Sequence, residues 1–99
     1  MENKVIRKHA ERRVKFTDTF IKKLRPKDKP YSIGDSEVPG LRIYVEVSGT
    51  KTFYFAYKPR QQKNWVRYKI GNFNILNIPK ARAMAQKYGA AIIDGKEPV

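Results

Sequence analysis

The strongest constraint on the fold is an alternation of residue types in the middle of the chain. Every second position from Leu41 to Val47 is apolar, and the residues between them are polar, charged or aromatic. This is the two-residue period of a strand that buries one face. The segments 51–58 and 64–70 alternate in the same way and follow short loops. The pattern therefore predicts three antiparallel strands that share an apolar face and an open face.

The segment before these strands predicts a short helix and an additional strand. Thr17 or Asp18 can cap the helix, and Pro26 ends it because the residue before a proline avoids the helical region. Residues 31–33 are interpreted as a short edge strand. The pair Pro39–Gly40 fits a type II turn, since glycine supplies the positive φ that the third position needs.

The C-terminal part predicts a longer helix. Asn77 can cap it, Pro79 lies in its first turn, and Gly95 can end it. Its apolar stripe consists of Ala81, Met84, Ala85, Tyr88, Ala91 and Ile92. The expected fold is α+β, a three- to four-stranded antiparallel sheet with this helix packed on one face and a short N-terminal helix. We expect a basic flexible arm over 1–15, one domain over 16–95 and a linker from 96 to 99.

The charge of the chain is high and unevenly distributed. The formal net charge is +13 on 99 residues. Residues 1–16 carry six Lys or Arg and two Glu, and residues 41–76 carry seven Lys or Arg with Glu46 as the single carboxylate. Such an excess of one sign favours a polyanionic partner over mere solubility.

Composition also excludes several classes of site. There is no Cys, and His9 is the single histidine, so we expect no disulfide, no zinc site of the usual ligands and no cofactor. No apolar run approaches the length that spans a membrane, and a signal-peptide core is absent from the N-terminus. We therefore expect a cytoplasmic protein with no membrane partner.

No catalytic constellation is evident in the chain. Asp35 and Glu37 are two residues apart, but a turn explains them better than an acid/base pair does. Gly49 and Gly71 belong to turns and not to a phosphate-binding loop. We expect that this chain by itself is no enzyme and has no catalytic residues.

The candidate functional site is the open face of the sheet together with the loop around residue 60. Cations there can contact phosphates or guanine edges, and aromatic rings can pack on sugars or thymine methyl groups. The predicted DNA-contacting residues are Arg42, Tyr44, Tyr54, Lys58, Arg60, Lys63, Trp65, Arg67 and Lys69.

These residues are expected to divide their roles. Arg42, Arg67 and Lys69 would reach base edges in a major groove, while Lys58, Arg60 and Lys63 would straddle a phosphate backbone. The aromatic residues have a second interpretation, in which they pack on a neighbouring side chain or under another domain. Two other functions stay open: an RNA-binding module, and a protein-interaction module that uses the exposed aromatic face.

Five segments, in this order, resemble the N-terminal arm-type DNA-binding domain of tyrosine integrases from phages and genomic islands. They are Phe16–Pro26, Pro39–Val45, Ser48–Phe55, Ile70–Phe73 and Ile78–Arg82. The segment Ile93–Pro98 resembles the hinge that leads into the next domain of these proteins. The resemblance covers about Lys15 to Pro98. Ala56 departs from it, since that position usually holds an Arg, and residues 1–14 lie outside it.

The resemblance implies sequence-specific binding of double-stranded DNA at arm-type sites near the ends of a prophage or genomic island. Such binding would support integration and excision, together with other integrase protomers and DNA-bending proteins. It further implies that the full-length protein is a tyrosine recombinase whose catalytic domain lies beyond residue 99, so that this chain ends at the hinge.

Overall fold

The computed structural model describes residues 13–59 and 63–95. In that part of the chain the elements are β1 (Arg13–Val14), α1 (Asp18–Lys22), β2 (Tyr31–Asp35), β3 (Leu41–Val45), β4 (Lys51–Tyr57), β5 (Val66–Asn72) and α2 (Ile78–Ile93). The strands form one sheet in chain order. β1 is parallel to β2, and the other neighbours are antiparallel. The predicted α+β class is confirmed, with a five-stranded mixed sheet in place of three or four antiparallel strands.

The additional strand lies in the segment where a flexible arm was predicted. Arg13 and Val14 pair with Gly34 and Asp35, and the amide of Ser36 donates to the carbonyl of Val14 at 3.0 Å. β2 is consequently an internal strand and not the edge strand that was expected. No residue pattern announces a two-residue strand, because its pairing depends on a free edge elsewhere in the chain. The rest of the predicted arm (1–12) and the predicted linker (96–99) lie outside the described residues.

The core lies between the sheet and α2. Ile33, Ile43 and Phe53 are cross-strand partners on β2, β3 and β4, and each is at most 3% exposed. From the helix, Ala81 and Ala85 are buried against this face. The small alanine side chains let the helix approach the sheet closely. Most of the residues predicted to face inward do so, including Tyr57, Tyr68 and Tyr88, which are partly buried against the core.

Two strand boundaries differ from the sequence pattern. Val47 was expected to continue the inward row of β3, but it is 54% exposed. The chain already turns at Glu46, whose amide donates to the carbonyl of Thr50 at 2.9 Å. In β5, Phe53 pairs with Gly71 while Tyr54 pairs with Lys69, so Ile70 is the extra residue of a β-bulge. The bulge lets β5 continue to Asn72.

Gly40 is required by the turn that precedes β3. Its φ is +92°, as the predicted type II turn demands. A side chain here would also have no room, because an added Cβ would lie 2.4 Å from a ring carbon of Phe55.

The helix caps follow the sequence signals. The Thr17 hydroxyl accepts from the amide of Phe20 at 3.1 Å, and the Asn77 side-chain oxygen accepts from the amide of Lys80 at 2.9 Å. Pro79 lies in the first turn of α2, and Gly95 follows its end with a φ of +81°. The predicted starts and ends of both helices are thus confirmed to within a few residues.

A buried ion pair connects the two ends of the described fold. The Asp35 carboxylate accepts from Arg82 Nε at 2.9 Å and from the amide of Phe16 at 3.1 Å. Arg82 also donates to the carbonyl of Phe16 at 3.2 Å. The Asp35 side chain is 0% exposed. We call Asp35, Arg82 and the Phe16 backbone the clasp; it joins the end of β2, helix α2 and the segment that follows β1.

The face assignment predicts opposite effects for two substitutions. Ile43 is 0% exposed, so Ile43→Val should cost about 1 kcal/mol of unfolding free energy, which lowers the melting temperature by roughly 4–8 °C in a domain of this size. Lys69 is exposed, and Lys69→Ala should change stability by less than about 0.5 kcal/mol. Thermal unfolding followed by circular dichroism measures both. A larger shift for Lys69→Ala than for Ile43→Val would contradict the assignment of the two faces.

Candidate nucleic-acid interface

The sheet surface opposite α2, here called the open face, collects side chains from three strands. Arg42 of β3 pairs with Tyr54 of β4, and Tyr54 pairs with Lys69 of β5. Ala56 of β4 pairs with Arg67 of β5. Since alternate residues of a strand share a face, Tyr44 lies on this surface too. The register thus brings together the strand residues that the sequence assigned to the site.

Two tyrosines and an arginine form the most ordered part of this surface. The rings of Tyr44 and Tyr54 meet edge to face, with centroids 4.7 Å apart. The guanidinium carbon of Arg67 lies 4.8 Å from the Tyr44 ring and 5.0 Å from the Tyr54 ring. Both rings attract the cation through their π faces. We call these two rings the tyrosine platform; it restrains the guanidinium of Arg67, which remains exposed.

The platform bears on the two interpretations of the aromatic residues. Tyr44 and Tyr54 do pack on each other, as the structural interpretation expected, and both are half-buried. Both tyrosines nevertheless remain partly exposed, and Arg67 is exposed. A packed platform that carries a cation can bind a ligand more readily than free side chains can, because less side-chain entropy is lost on contact.

Arg42 differs from its expected placement. It is only 7% exposed, and Nε and a terminal nitrogen of its guanidinium donate to Ser32 Oγ at 3.0 and 2.7 Å. Ser32 lies on β2, next to Tyr44 in register. Direct contact between Arg42 and a base edge stays an untested prediction, and the hydrogen bonds to Ser32 oppose it. Ser32 was not predicted as a site residue, since its role depends on cross-strand pairing.

The remaining predicted residues flank the sheet near the β4–β5 connection. Lys58 follows β4, while Lys63 and Trp65 precede β5. Lys58 and Lys63 are exposed, and Trp65 is 59% exposed. Lys69 is exposed on β5 itself. Arg60 lies outside the described residues.

Arg13 was missed as a site residue. The sequence assigned it to a flexible arm, but β1 pairs it with Gly34, which is itself the partner of Arg42 on the open face. Arg13 is exposed there and extends the row of cations by one strand. No pattern in the sequence could have found it, because its place on the open face depends on the pairing of β1 with β2.

The electrostatics of the open face are of one sign. Glu46, the single carboxylate between residues 41 and 76, lies in the exposed turn after β3. Asp35 and Glu37, which the sequence placed in a turn, contact Arg82 at 2.9 and 3.7 Å. Asp35 is the last residue of β2, and its carboxylate accepts the hydrogen bonds of the clasp. Within residues 13–59 and 63–95, no group of three or more potential ligands is arranged to hold a metal ion.

Among residues 13–59 and 63–95, no helix combines the length and apolar character that crossing a bilayer requires.

Comparison with known proteins agrees with this geometry. The chain is 31% identical over 84 residues to the prophage integrase IntZ of Escherichia coli strain K12. That alignment covers 85% of this chain and 20% of the relative, so the chain spans about a fifth of the relative's length. Residues 16–99 match a family described as the arm DNA-binding domain, a DNA-binding and non-catalytic domain. Because this match extends over most of the sequence, the chain belongs to the arm DNA-binding domain family.

Proposed function

We propose that the open face binds double-stranded DNA at arm-type sites at the ends of a prophage or genomic island. This binding supports integration and excision by an integrase. The observation that carries the proposal is Arg67, an exposed cation restrained on the tyrosine platform in a chain of the arm DNA-binding family. A two- or three-stranded sheet fits the major groove, where arginine can bond guanine through two atoms at once.

The charge distribution supports the same ligand. Arg13, Arg67 and Lys69 lie exposed on strands of the sheet, and Lys58 and Lys63 lie exposed beside it. With a net charge of +13, the chain can replace many counterions on a polyanion. In the proposed complex the platform faces the groove, and the lysines near the β4–β5 connection contact phosphates.

The proposal extends to the whole protein. The catalytic domain of a tyrosine recombinase, with its nucleophilic tyrosine, would follow this domain, and other integrase protomers and DNA-bending proteins would complete the assembly in the cytoplasm. The similarity to a prophage integrase supports this extension. The domain described here would hold the recombinase on DNA while the other domain cuts.

The first test is the salt dependence of binding to a short duplex. If the face neutralises several phosphates, log Kd should change linearly with log salt concentration, with a slope of about 0.9 per phosphate contacted. Fluorescence anisotropy of a labelled duplex from low to physiological salt measures the slope. A flat dependence would rule out nucleic acid as the ligand and leave the protein-interaction module.

A competition experiment separates DNA from RNA. Unlabelled duplex DNA should displace the labelled duplex at much lower concentration than single-stranded RNA of equal length and sequence, because the sheet reads a groove and not unstacked bases. Stronger displacement by the RNA would instead support the RNA-binding module.

A further inference from the structure

A cleft of about 550 Å³ lies on the open face beside the tyrosine platform. It extends over the end of β2, the start of β3 and the end of β4 and is lined in part by Arg13, Gly34, Arg42, Ala56, Lys58 and Trp65. Its volume lies within the range of small-molecule sites, and no part of it was predicted from the sequence as a cavity.

The cleft exists because its floor carries very little side chain. Gly34 has none, and Ala56 contributes a methyl group. The backbone in this part of the sheet can therefore be approached closely. A larger residue at position 56 would occupy the space in front of β4.

The walls of the cleft are cationic and aromatic. Arg13 stands on the β1 side, while Lys58 and Trp65 stand on the β4–β5 side. Asp35 also lines the cleft, but its side chain is 0% exposed and is bonded to Arg82 and Phe16. The cleft consequently presents positive charge, together with an indole ring that is 59% exposed.

We propose that this cleft seats one sugar–phosphate strand of the DNA duplex, with Arg13 and Lys58 on a phosphate and Trp65 against a deoxyribose. The inference rests on the proposed function and adds a second contact region to it. Tyr44 belongs to both regions, since it lines the cleft and its ring lies 4.8 Å from the guanidinium carbon of Arg67. A duplex whose groove meets Arg67 therefore brings a flanking backbone over the cleft.

The test combines a protein variant with neutralised phosphates. A short duplex selected from a random library for tight binding is made with single methylphosphonate groups, which remove the charge of one phosphate at a time. For the wild-type chain, one or two adjacent positions should weaken binding about fivefold, the scale of one charge-assisted contact. In Arg13→Ala the effect at these positions should become clearly smaller, because one of the two partners of that phosphate is already gone and only Lys58 remains. In Arg67→Ala it should persist.

Lys15→Ala is the matched control. Lys15 is two residues away, is exposed and pairs with Glu37 at 3.3 Å, and it does not line the cleft. Its loss removes the same charge, so the methylphosphonate pattern should stay that of the wild type. Arg13→Gln guards against an effect on the β1 pairing, because it keeps the aliphatic part of the side chain while it removes the charge, and it should behave as Arg13→Ala does.

Two outcomes overturn the cleft proposal while leaving the proposed function intact. The first is a methylphosphonate pattern that is unchanged in both Arg13 variants. The second is an equal loss of affinity for Arg13→Ala and Lys15→Ala. If the wild-type chain instead shows no salt-dependent duplex binding, the proposed function itself fails.

Discussion

Asp35→Asn is expected to lower the free energy of unfolding by about 1.5–3 kcal/mol, because the partly exposed Arg82 cation and the Phe16 amide lose the buried carboxylate that accepts their hydrogen bonds. The substitution preserves the volume of the side chain. It removes the negative charge of the carboxylate, whose oxygens accept from Arg82 Nε at 2.9 Å and from the amide of Phe16 at 3.1 Å. Urea unfolding at neutral pH measures the loss.

Glu37→Gln is the matched control. It removes one negative charge from the same region, but Glu37 is half-exposed and lies 3.7 Å from Arg82. A contact of this kind contributes about 0–1 kcal/mol. Equal destabilisation by the two substitutions would show that the loss of a negative charge near Arg82, and not the hydrogen bonds of the clasp, lowers the stability.

The effect of Asp35→Asn should depend on pH. Burial by itself raises the pKa of the Asp35 carboxyl, but the hydrogen bonds from Arg82 and Phe16 and the charge of Arg82 outweigh it, so that the pKa lies below its ordinary value of 3.8. Such a group stabilises the fold fully above the unfolded pKa and loses this contribution as the pH falls through the folded pKa. The gap between wild type and Asp35→Asn should therefore shrink below pH 3.8. A gap that stays constant down to the lowest pH at which both fold would contradict the assigned role.

The largest effect on binding is expected at Arg67. Arg67→Lys keeps the charge but loses the planar fork that bonds guanine at two atoms, so discrimination against random-sequence DNA should fall by about 1–3 kcal/mol, roughly 5- to 150-fold. Affinity for random DNA should change much less. The measurement is a competition titration with a duplex selected for tight binding and a scrambled duplex of equal composition.

Lys63→Ala is the control for a backbone contact, since Lys63 is exposed before β5 and away from the platform. It should weaken binding to both duplexes by the same factor, because a phosphate contact carries no direct sequence information. If Arg67→Lys also lowers the affinity for both duplexes by the same factor, Arg67 contacts only the phosphate backbone. Other residues must then recognise the bases.

The tyrosine platform has its own role in this prediction. Tyr44→Leu and Tyr54→Leu would remove the π faces that lie 4.8 and 5.0 Å from Arg67. A restrained guanidinium loses less freedom on binding than a mobile one. Both variants should therefore reduce discrimination in the same direction as Arg67→Lys.

Local patterns sufficed for much of the fold. The alternation around Ile43 and Phe53 identified the buried face, because a strand places alternate residues on opposite sides. Thr17, Asn77, Pro79 and Gly40 marked helix starts and a turn, since each satisfies a backbone requirement within a few residues of itself. The same alternation also put Tyr44, Tyr54 and Arg67 on one surface.

Contacts between distant segments were decided only by the tertiary structure. β1 forms because β2 offers a free edge, and Asp35 is buried because Arg82 reaches it from 47 positions further along the chain. Burial of Arg42 against Ser32 and the cleft between Arg13 and Trp65 likewise depend on cross-strand register. The sequence by itself determined the three central strands, the caps and the cationic open face, because those follow from neighbouring residues. Packing decided which cations are buried, as Arg42 is, and which are exposed to a ligand, as Arg67 is. This depends on side chains that only the folded sheet brings together.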